Sequence, residues 1–315
     1  CSAPQTTTDA NGVSSSTTYD ALCRVQSRTG ALGAFETYSY LDLGSPTLQR
    51  TRVESPSPSA GDGTGNYFKQ DYFDGLGWTY RSESKGPSPG QTIVAEKGRN
   101  ARGGVAWQKQ PYYSGAPSSP TTSYFYDALG RVVRTVLPDN HEVQVAYGAW
   151  QQTTTDPLGR TATSYLDAFG RTWRTEQEDD EGRIVATQLS YNTRGERVGM
   201  TDPAGNAWSW TFDSTGRLLQ RNDPDSGIWT WAYDTATRTT TQTDAKGQIT
   251  ETQVDEAGRT IRKTTYGPGG TNVTFSYGQQ RSGYFNTGRL TTMTDAHGSE
   301  QYDYDALGRQ VRQTR

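Results

Sequence analysis

Residues 201–234 read TDPAGNAWSWTFDSTGRLLQRNDPDSGIWTWAYD, and this stretch decides the fold. Rings stand at Trp208, Trp210 and Phe212, and again one unit later at Trp229, Trp231 and Tyr233. An apolar side chain at every second position is the period of a β-strand, whose side chains point alternately to opposite faces. The Thr, Tyr and Trp that fill these segments suit a pleated surface. The segments are punctuated by Asp-x-x-Gly. Asp at the first turn position accepts hydrogen bonds from backbone N–H groups just downstream, and Gly supplies the left-handed conformation that closes the turn. The local pattern is strand, turn, strand, turn, with connections so short that neighbours must run antiparallel.

Outward from this stretch the punctuation keeps a fixed step. Asp202, Asp213, Asp223, Asp234, Asp244 and Asp255 stand 11, 10, 11, 10 and 11 residues apart. Asp9 to Asp20, Asp156 to Asp167 and Asp295 to Asp305 repeat it. Two strands and two turns therefore make a unit of about 21 residues, the signature of a repeat architecture. Asp-x-x-Gly recurs at Asp9, Asp74, Asp127, Asp156, Asp167, Asp179, Asp202, Asp213, Asp244, Asp255, Asp295 and Asp305, far beyond what 35 Gly in 315 residues place there by chance.

Two kinds of turn alternate. One follows an aromatic residue and precedes Arg: Tyr19-Asp20 with Arg24, Tyr126-Asp127 with Gly130 and Arg131, and Tyr304-Asp305 with Gly308 and Arg309. Variants are Tyr165-Leu166-Asp167 with Gly170 and Arg171, Phe212-Asp213 with Gly216 and Arg217, and Asp255 with Gly258 and Arg259. The other kind follows Thr and often carries Pro, as at Asp156 and Asp202. The Arg of each unit could stack on a neighbouring Tyr or pair with the turn Asp.

The expectation is an all-β fold, a long antiparallel sheet of repeated hairpins. Residues 1–120 repeat irregularly, with loops at Ser55–Asn66, Lys85–Gly90 and Tyr113–Pro120 and a basic, Gly-rich, irregular connection at Arg99–Gly104. Residues 121–315 repeat regularly, with an extended acidic turn at Glu176–Gly182. One continuous sheet is expected.

Composition sharpens the puzzle. Leu, Ile, Val and Phe number 43 in 315 residues, below the share of roughly 20% at which disorder becomes the working suspicion. Against disorder stand 19 Tyr, 8 Trp and a net charge of only −3. Successive strands are expected to stack their rings in cross-strand columns, replacing the missing aliphatic mass. The Trp208, Trp210, Trp229 and Trp231 ladder is read first as such a core column. If it faces solvent, it becomes a glycan-binding strip.

No apolar run reaches the 18 residues a membrane helix needs. No basic stripe marks a nucleic-acid binder. Two cysteines and two histidines make no zinc site, and pairing of Cys1 with Cys23 across a hairpin is left open. The Asp-Pro dipeptides at Asp156, Asp202 and Asp223 read as turns, not self-cleavage sites, because they recur. The run Glu176, Glu178, Asp179, Asp180 and Glu181 reads as a solvated loop before it reads as a calcium site. No catalytic residue, cofactor site or metal site is nominated. The start at Cys1-Ser2, without Met or a signal-like segment, reads as a fragment or processed chain, or less readily as a lipoprotein's mature end.

The motifs at Tyr126–Arg131 and Tyr304–Arg309, with their degenerate forms at Tyr19–Arg24 and Tyr72–Gly77, resemble the YD-repeat (Rhs-repeat) family. That family includes bacterial Rhs polymorphic toxins, the B and C components of ABC-type toxin complexes, and teneurin YD shells. The resemblance runs along essentially the whole chain. It implies a sheet wound spirally into a hollow shell that encloses a toxin or other cargo. It also implies a secreted or cell-surface bacterial protein whose partners are the rest of its own polypeptide and that cargo. The chain stops at Arg315 after a plain repeat, so a shell segment is expected. The alternative is an extracellular module that binds carbohydrate, a receptor or another protein.

Overall fold

The computed structural model describes residues 5–30, 35–56, 66–88, 90–117 and 119–315. Cys1 and most of the Ser55–Asn66 loop lie outside them, as do Pro89 and Ser118 of the other two expected loops. Among the described residues there are 28 strands and no helix, and every pairing is antiparallel. None of these residues belongs to a helix long and apolar enough to cross a membrane. The chain divides into two compact units, residues 1–146 with 154–159, and residues 147–153 with 160–315.

Within each unit nearly every strand pairs with the strands before and after it in sequence. In the second unit Ala207–Phe212 pairs with Arg197–Thr201 and with Leu218–Asp223, and Leu218–Asp223 pairs in turn with Gly227–Asp234. The first unit adds one irregularity. The strand Thr92–Arg99 meets Val105–Lys109 along its second half and the short Tyr112–Tyr113 along its first. Alternation is visible as burial: in Ala207–Phe212 the three rings are half-buried and the residues between them exposed.

The aliphatic core is nearly absent. Val94 is the one buried hydrophobic side chain among the described residues. Several of the most enclosed side chains are polar. Asn286, Thr291 and Asp303 are fully buried where the connection between Thr271–Tyr277 and Leu290–Asp295 folds back over the strands. There Arg281 donates to Asp303 Oδ1 at 2.7 Å, and Asn286 Nδ2 donates to the same oxygen at 2.8 Å. In the first unit Arg81 lies between Glu83 and Glu96, and Glu96 also accepts from Lys109 and Tyr112. A buried carboxylate is tolerated only with partners of this kind.

The expected columns of stacked rings do not form. Ring pairs occur at Tyr72–Tyr80 and Tyr165–Trp173. At many other rings the neighbour is a cation. Arg221 stands in register between Trp210 and Trp229, and its guanidinium carbon lies 5.3 Å from the Trp229 ring centre. Arg197 lies over Trp210 at 4.7 Å. From Tyr191 to Tyr304 no two consecutive strands both carry rings, and at Trp210, Trp229, Tyr233 and Tyr277 the partner is an Arg from the segment before.

Two connections differ from their sequence reading. Arg99–Gly104 is no irregular loop but a four-residue turn with the bonding of the Asp turns, opened by Asn100. The acidic run is no extended turn either. Glu176 and Glu178 belong to the strand Thr172–Glu178, and the turn itself is Asp179–Gly182.

Gly258 has φ = 76°, and a Cβ built there meets nothing within 4 Å. Gly258→Ala is therefore expected to destabilise the fold by about 1–2 kcal/mol through left-handed strain alone, measured as a urea midpoint shift. Gly258→Asn is expected to recover part of that loss, because Asn visits this conformation more readily.

Candidate functional site

The repeated turn is the most organised chemical feature of the chain. At Asp305 the backbone N–H of Gly308 donates to the Asp carbonyl at 2.9 Å, and the Asp N–H donates to the Arg309 carbonyl at 3.0 Å. Carboxylate Oδ1 accepts from the N–H groups of Leu307 and Arg309, and Oδ2 accepts from the Arg309 guanidinium. Gly308 has φ = 81°. The same pattern holds at Asp20–Arg24, Asp127–Arg131, Asp167–Arg171, Asp213–Arg217 and Asp255–Arg259. At Asp20 the left-handed residue is Cys23, with φ = 62°.

The Thr-Asp-Pro turns share the carboxylate bonding, with Asn206 in the place of Arg at Asp202. They differ in register. A β-bulge sits at the residue before the turn at Tyr19, Tyr126, Leu166, Tyr191, Phe212, Val254, Tyr277 and Tyr304. The ladder across the Asp202 turn runs without one. The turn Asp295–Gly298 departs further, with Asp295 and Gly298 paired directly across a two-residue connection.

In four of the aromatic-type turns the Arg has a second, aromatic partner, and both readings left open by the sequence are realised together. While bound to the turn Asp, Arg24 lies 4.2 Å from the Tyr40 ring centre, Arg171 4.7 Å from Tyr191, Arg217 4.5 Å from Tyr233 and Arg259 4.6 Å from Tyr277. Each Tyr hydroxyl then donates to the carbonyl of the residue following that Arg: Val25, Thr172, Leu218 and Thr260, at 2.7 to 3.1 Å. Asp, Arg and Tyr thus form a clip that ties one hairpin to the next. Arg289 also lies over a ring, 5.6 Å from the Tyr304 centre, but it donates to the Asp305 backbone carbonyl and not to a turn carboxylate.

Of the ring residues nominated from sequence, Tyr126 sets its hydroxyl on the Val105 carbonyl as a clip ring does but lies over Gly104 in place of Arg, Tyr304 faces Arg289, which binds the Asp305 carbonyl and not a turn carboxylate, and Tyr19 and Phe212 end their strands just before the turn. Tyr165 stands two residues before Asp167 instead of one, which sends it to the opposite face. Its hydroxyl donates to Glu176 at 2.8 Å. Tyr40, Tyr191, Tyr233 and Tyr277 were not nominated. The signal for them was present: each is the last or next-to-last residue of the second strand after the Arg, 16 to 20 residues on. The turns opened by Asn100 and Asn192 were missed because Asn replaces Asp.

The clip holds its carboxyls below the ordinary value. The Arg24 side chain lowers Asp20, the Arg171 side chain lowers Asp167, and the Arg259 backbone N–H followed by its side chain lowers Asp255. His141 pairs with Asp139 at 3.0 Å on an exposed turn. In the acidic run Glu176 is engaged by Tyr165 and Arg174, Asp179 by Arg183, and Asp180 by Arg160. No cluster of His, Cys, Asp and Glu suited to a metal occurs among the described residues.

Residues 191–228, 212–249 and 286–315 match the RHS Repeat family model. These windows carry RHS repeats. The first two matched RHS windows open at Tyr191 and Phe212, one repeat unit apart. No curated protein sequence matches the chain. The crystal structure of TcdB2-TccC3-Cdc42 is similar, with a TM-score of 0.71 at 12% identity over 99% of this chain and 26% of that one. TcdB2-TccC3 without its hypervariable C-terminal region gives 0.68 at 13% identity, over 98% and 25%. A Photorhabdus luminescens Tc holotoxin pore gives 0.56 at 12% identity, over 98% and 25%. At such identity the likeness is one of fold. The chain spans about a quarter of the length of these chains.

Tyr233→Phe, which removes the hydroxyl but keeps the ring over Arg217, is expected to lower stability by about 1 kcal/mol, read by urea denaturation. The acid response has a definite sign. Carboxyls lowered in the folded state stabilise it fully above their unfolded value of about 3.9, and this contribution is lost as pH falls through the folded values. The urea midpoint should therefore hold through neutral pH and drop below about pH 4. Asp255→Asn should start lower at neutral pH and drop less.

Proposed function

We propose that this chain is a non-enzymatic structural segment of a secreted bacterial Rhs-type protein, and that its strands build part of the wall of a hollow β-shell around a toxin or other cargo. The observation that carries the reading is the recurrence of one clip, with the same donors and acceptors, at Asp20–Tyr40, Asp167–Tyr191, Asp213–Tyr233 and Asp255–Tyr277. A catalytic site is singular among its neighbours, whereas a wall is built of equivalent parts. Bulged strands bend and twist more strongly. Placing bulges beside the aromatic-type turns supplies the curvature a wall needs.

The near absence of buried aliphatic side chains fits a layer one sheet thick better than a solid domain. On this reading the partners are the remainder of the parent polypeptide and the enclosed cargo. The glycan-strip alternative is disfavoured by the guanidinium groups over Trp210 and Trp229, which occupy the faces a sugar would stack on. The test is electron cryomicroscopy of the full-length parent together with protease challenge. A hollow particle whose cargo resists protease until the wall is opened is expected. A solid particle without a cavity would overturn the reading.

A further inference from the structure

One turn of the first unit breaks the clip in a chemically coherent way. The sequence Arg99-Asn100-Ala101-Arg102-Gly103-Gly104 folds as the other turns do. Yet Arg99 stands where the repeat has its aromatic residue, Asn100 where it has Asp, and Gly104 where it has Arg. The change from Asp to Asn removes the carboxylate that neutralises Arg in the equivalent turns. The change from Arg to Gly removes the guanidinium that covers the next ring, and Tyr126 rests on the bare Gly104 backbone, with its hydroxyl on the Val105 carbonyl.

The cations that remain have no countercharge. Arg99 donates to the Gly103 carbonyl at 2.6 Å and lies 5.2 Å from the Trp78 ring centre. Arg102 donates to the Ala128 carbonyl at 2.9 Å. Among the described residues neither forms an ion pair, nor does Lys97 nearby. Arginines at other turns do: Arg183 with Asp179, Arg194 with Glu196 and Arg238 with Glu256. Beside this turn opens a cleft of about 590 Å³, lined among others by Arg102, Tyr124, Phe125, Tyr126 and Asp127, whose carboxylate is already paired with Arg131. The uncompensated Arg102 guanidinium at the edge of an aromatic cleft favours a ligand that brings carboxylates and an apolar side chain together.

We propose that the Arg99–Gly104 turn and its cleft form a docking site for an acidic polypeptide segment bearing aromatic side chains. Nucleic acid fits less well, because the positive charge covers one turn and does not extend into a track.

The test uses the full chain and fluorescence anisotropy with a labelled EEFEEF peptide, its QQFQQF analogue and an oligothymidylate. Saturable binding of EEFEEF that weakens with salt is expected. Arg102→Gln should weaken it roughly tenfold, as loss of a charge-assisted hydrogen bond would. Arg238→Gln, at a turn where the Arg is already paired, should leave it unchanged. Restoring the repeat with Asn100→Asp and Gly104→Arg should also weaken binding, with the circular dichroism spectrum retained. If that double variant does not fold, Arg102→Gln decides. Equal binding of QQFQQF, tighter binding of the oligothymidylate, absence of EEFEEF binding, or indifference to Arg102→Gln would each overturn the proposal.

Discussion

The turn carboxylate is the constraint from which the rest of this structure follows. One oxygen of Asp213, for example, accepts two backbone N–H groups and so fixes the path of the turn. The other holds the Arg217 guanidinium, which would otherwise sample many rotamers. Once aimed, that guanidinium is a platform for Tyr233, and the Tyr hydroxyl takes up the Leu218 carbonyl beside the bulge. A local turn therefore orders a side chain, and that side chain orders the next hairpin. Each link reaches only to the neighbouring strand, so order propagates as in other quasi-one-dimensional repeats, where each unit is stabilised mainly by its neighbours.

The chain departs from the clip in particular places, and each departure has its own chemistry. Around Asp303 the twelve residues 278–289 replace a short turn, and a network through Arg281 and Asn286 encloses the carboxylate. Around Glu96 a ladder of charges crosses several strands of the first unit. In both places paired polar groups do the locking that aliphatic packing does elsewhere, and partners converge from more than one strand to cover the desolvated carboxylate. The Arg99–Gly104 turn is the opposite case, keeping the backbone of the repeat and discarding its compensating charge.

The strands and turns were legible because their signals are local. A period of two in 208–212 and 229–233, closed by Asp-x-x-Gly, leaves little choice of backbone. The Asn-opened turns at 100 and 192 were not read as members of the series, although an Asn side-chain oxygen accepts the same two N–H bonds as Asp. The clip itself was half legible: both possible partners of the Arg were named from sequence, but their simultaneity depends on strand register. Arg217 and Tyr233 face each other only because Gln220 pairs with Thr230. The same dependence misplaced Tyr165, where one residue of offset reverses the face. The buried cluster at Asn286, Thr291 and Asp303 left no periodic trace, since it arises where a connection folds back.

Register also explains why the rings are not stacked on one another. An aromatic column needs rings in phase on consecutive strands, but from Tyr191 to Tyr304 no two consecutive strands both carry them. The strand between must offer something flat, apolar along its stem and attractive to a ring face, and a guanidinium meets all three needs. Its charge is compensated by the turn Asp in the aromatic-type units, so it can lie against the ring without an unpaired ion. A low share of Leu, Ile and Val thus signals neither disorder nor weakness in this chain. Arg stems, Tyr rings and Asp turns cover one another across each pair of strands, and a sheet assembled in this way does not depend on an aliphatic centre.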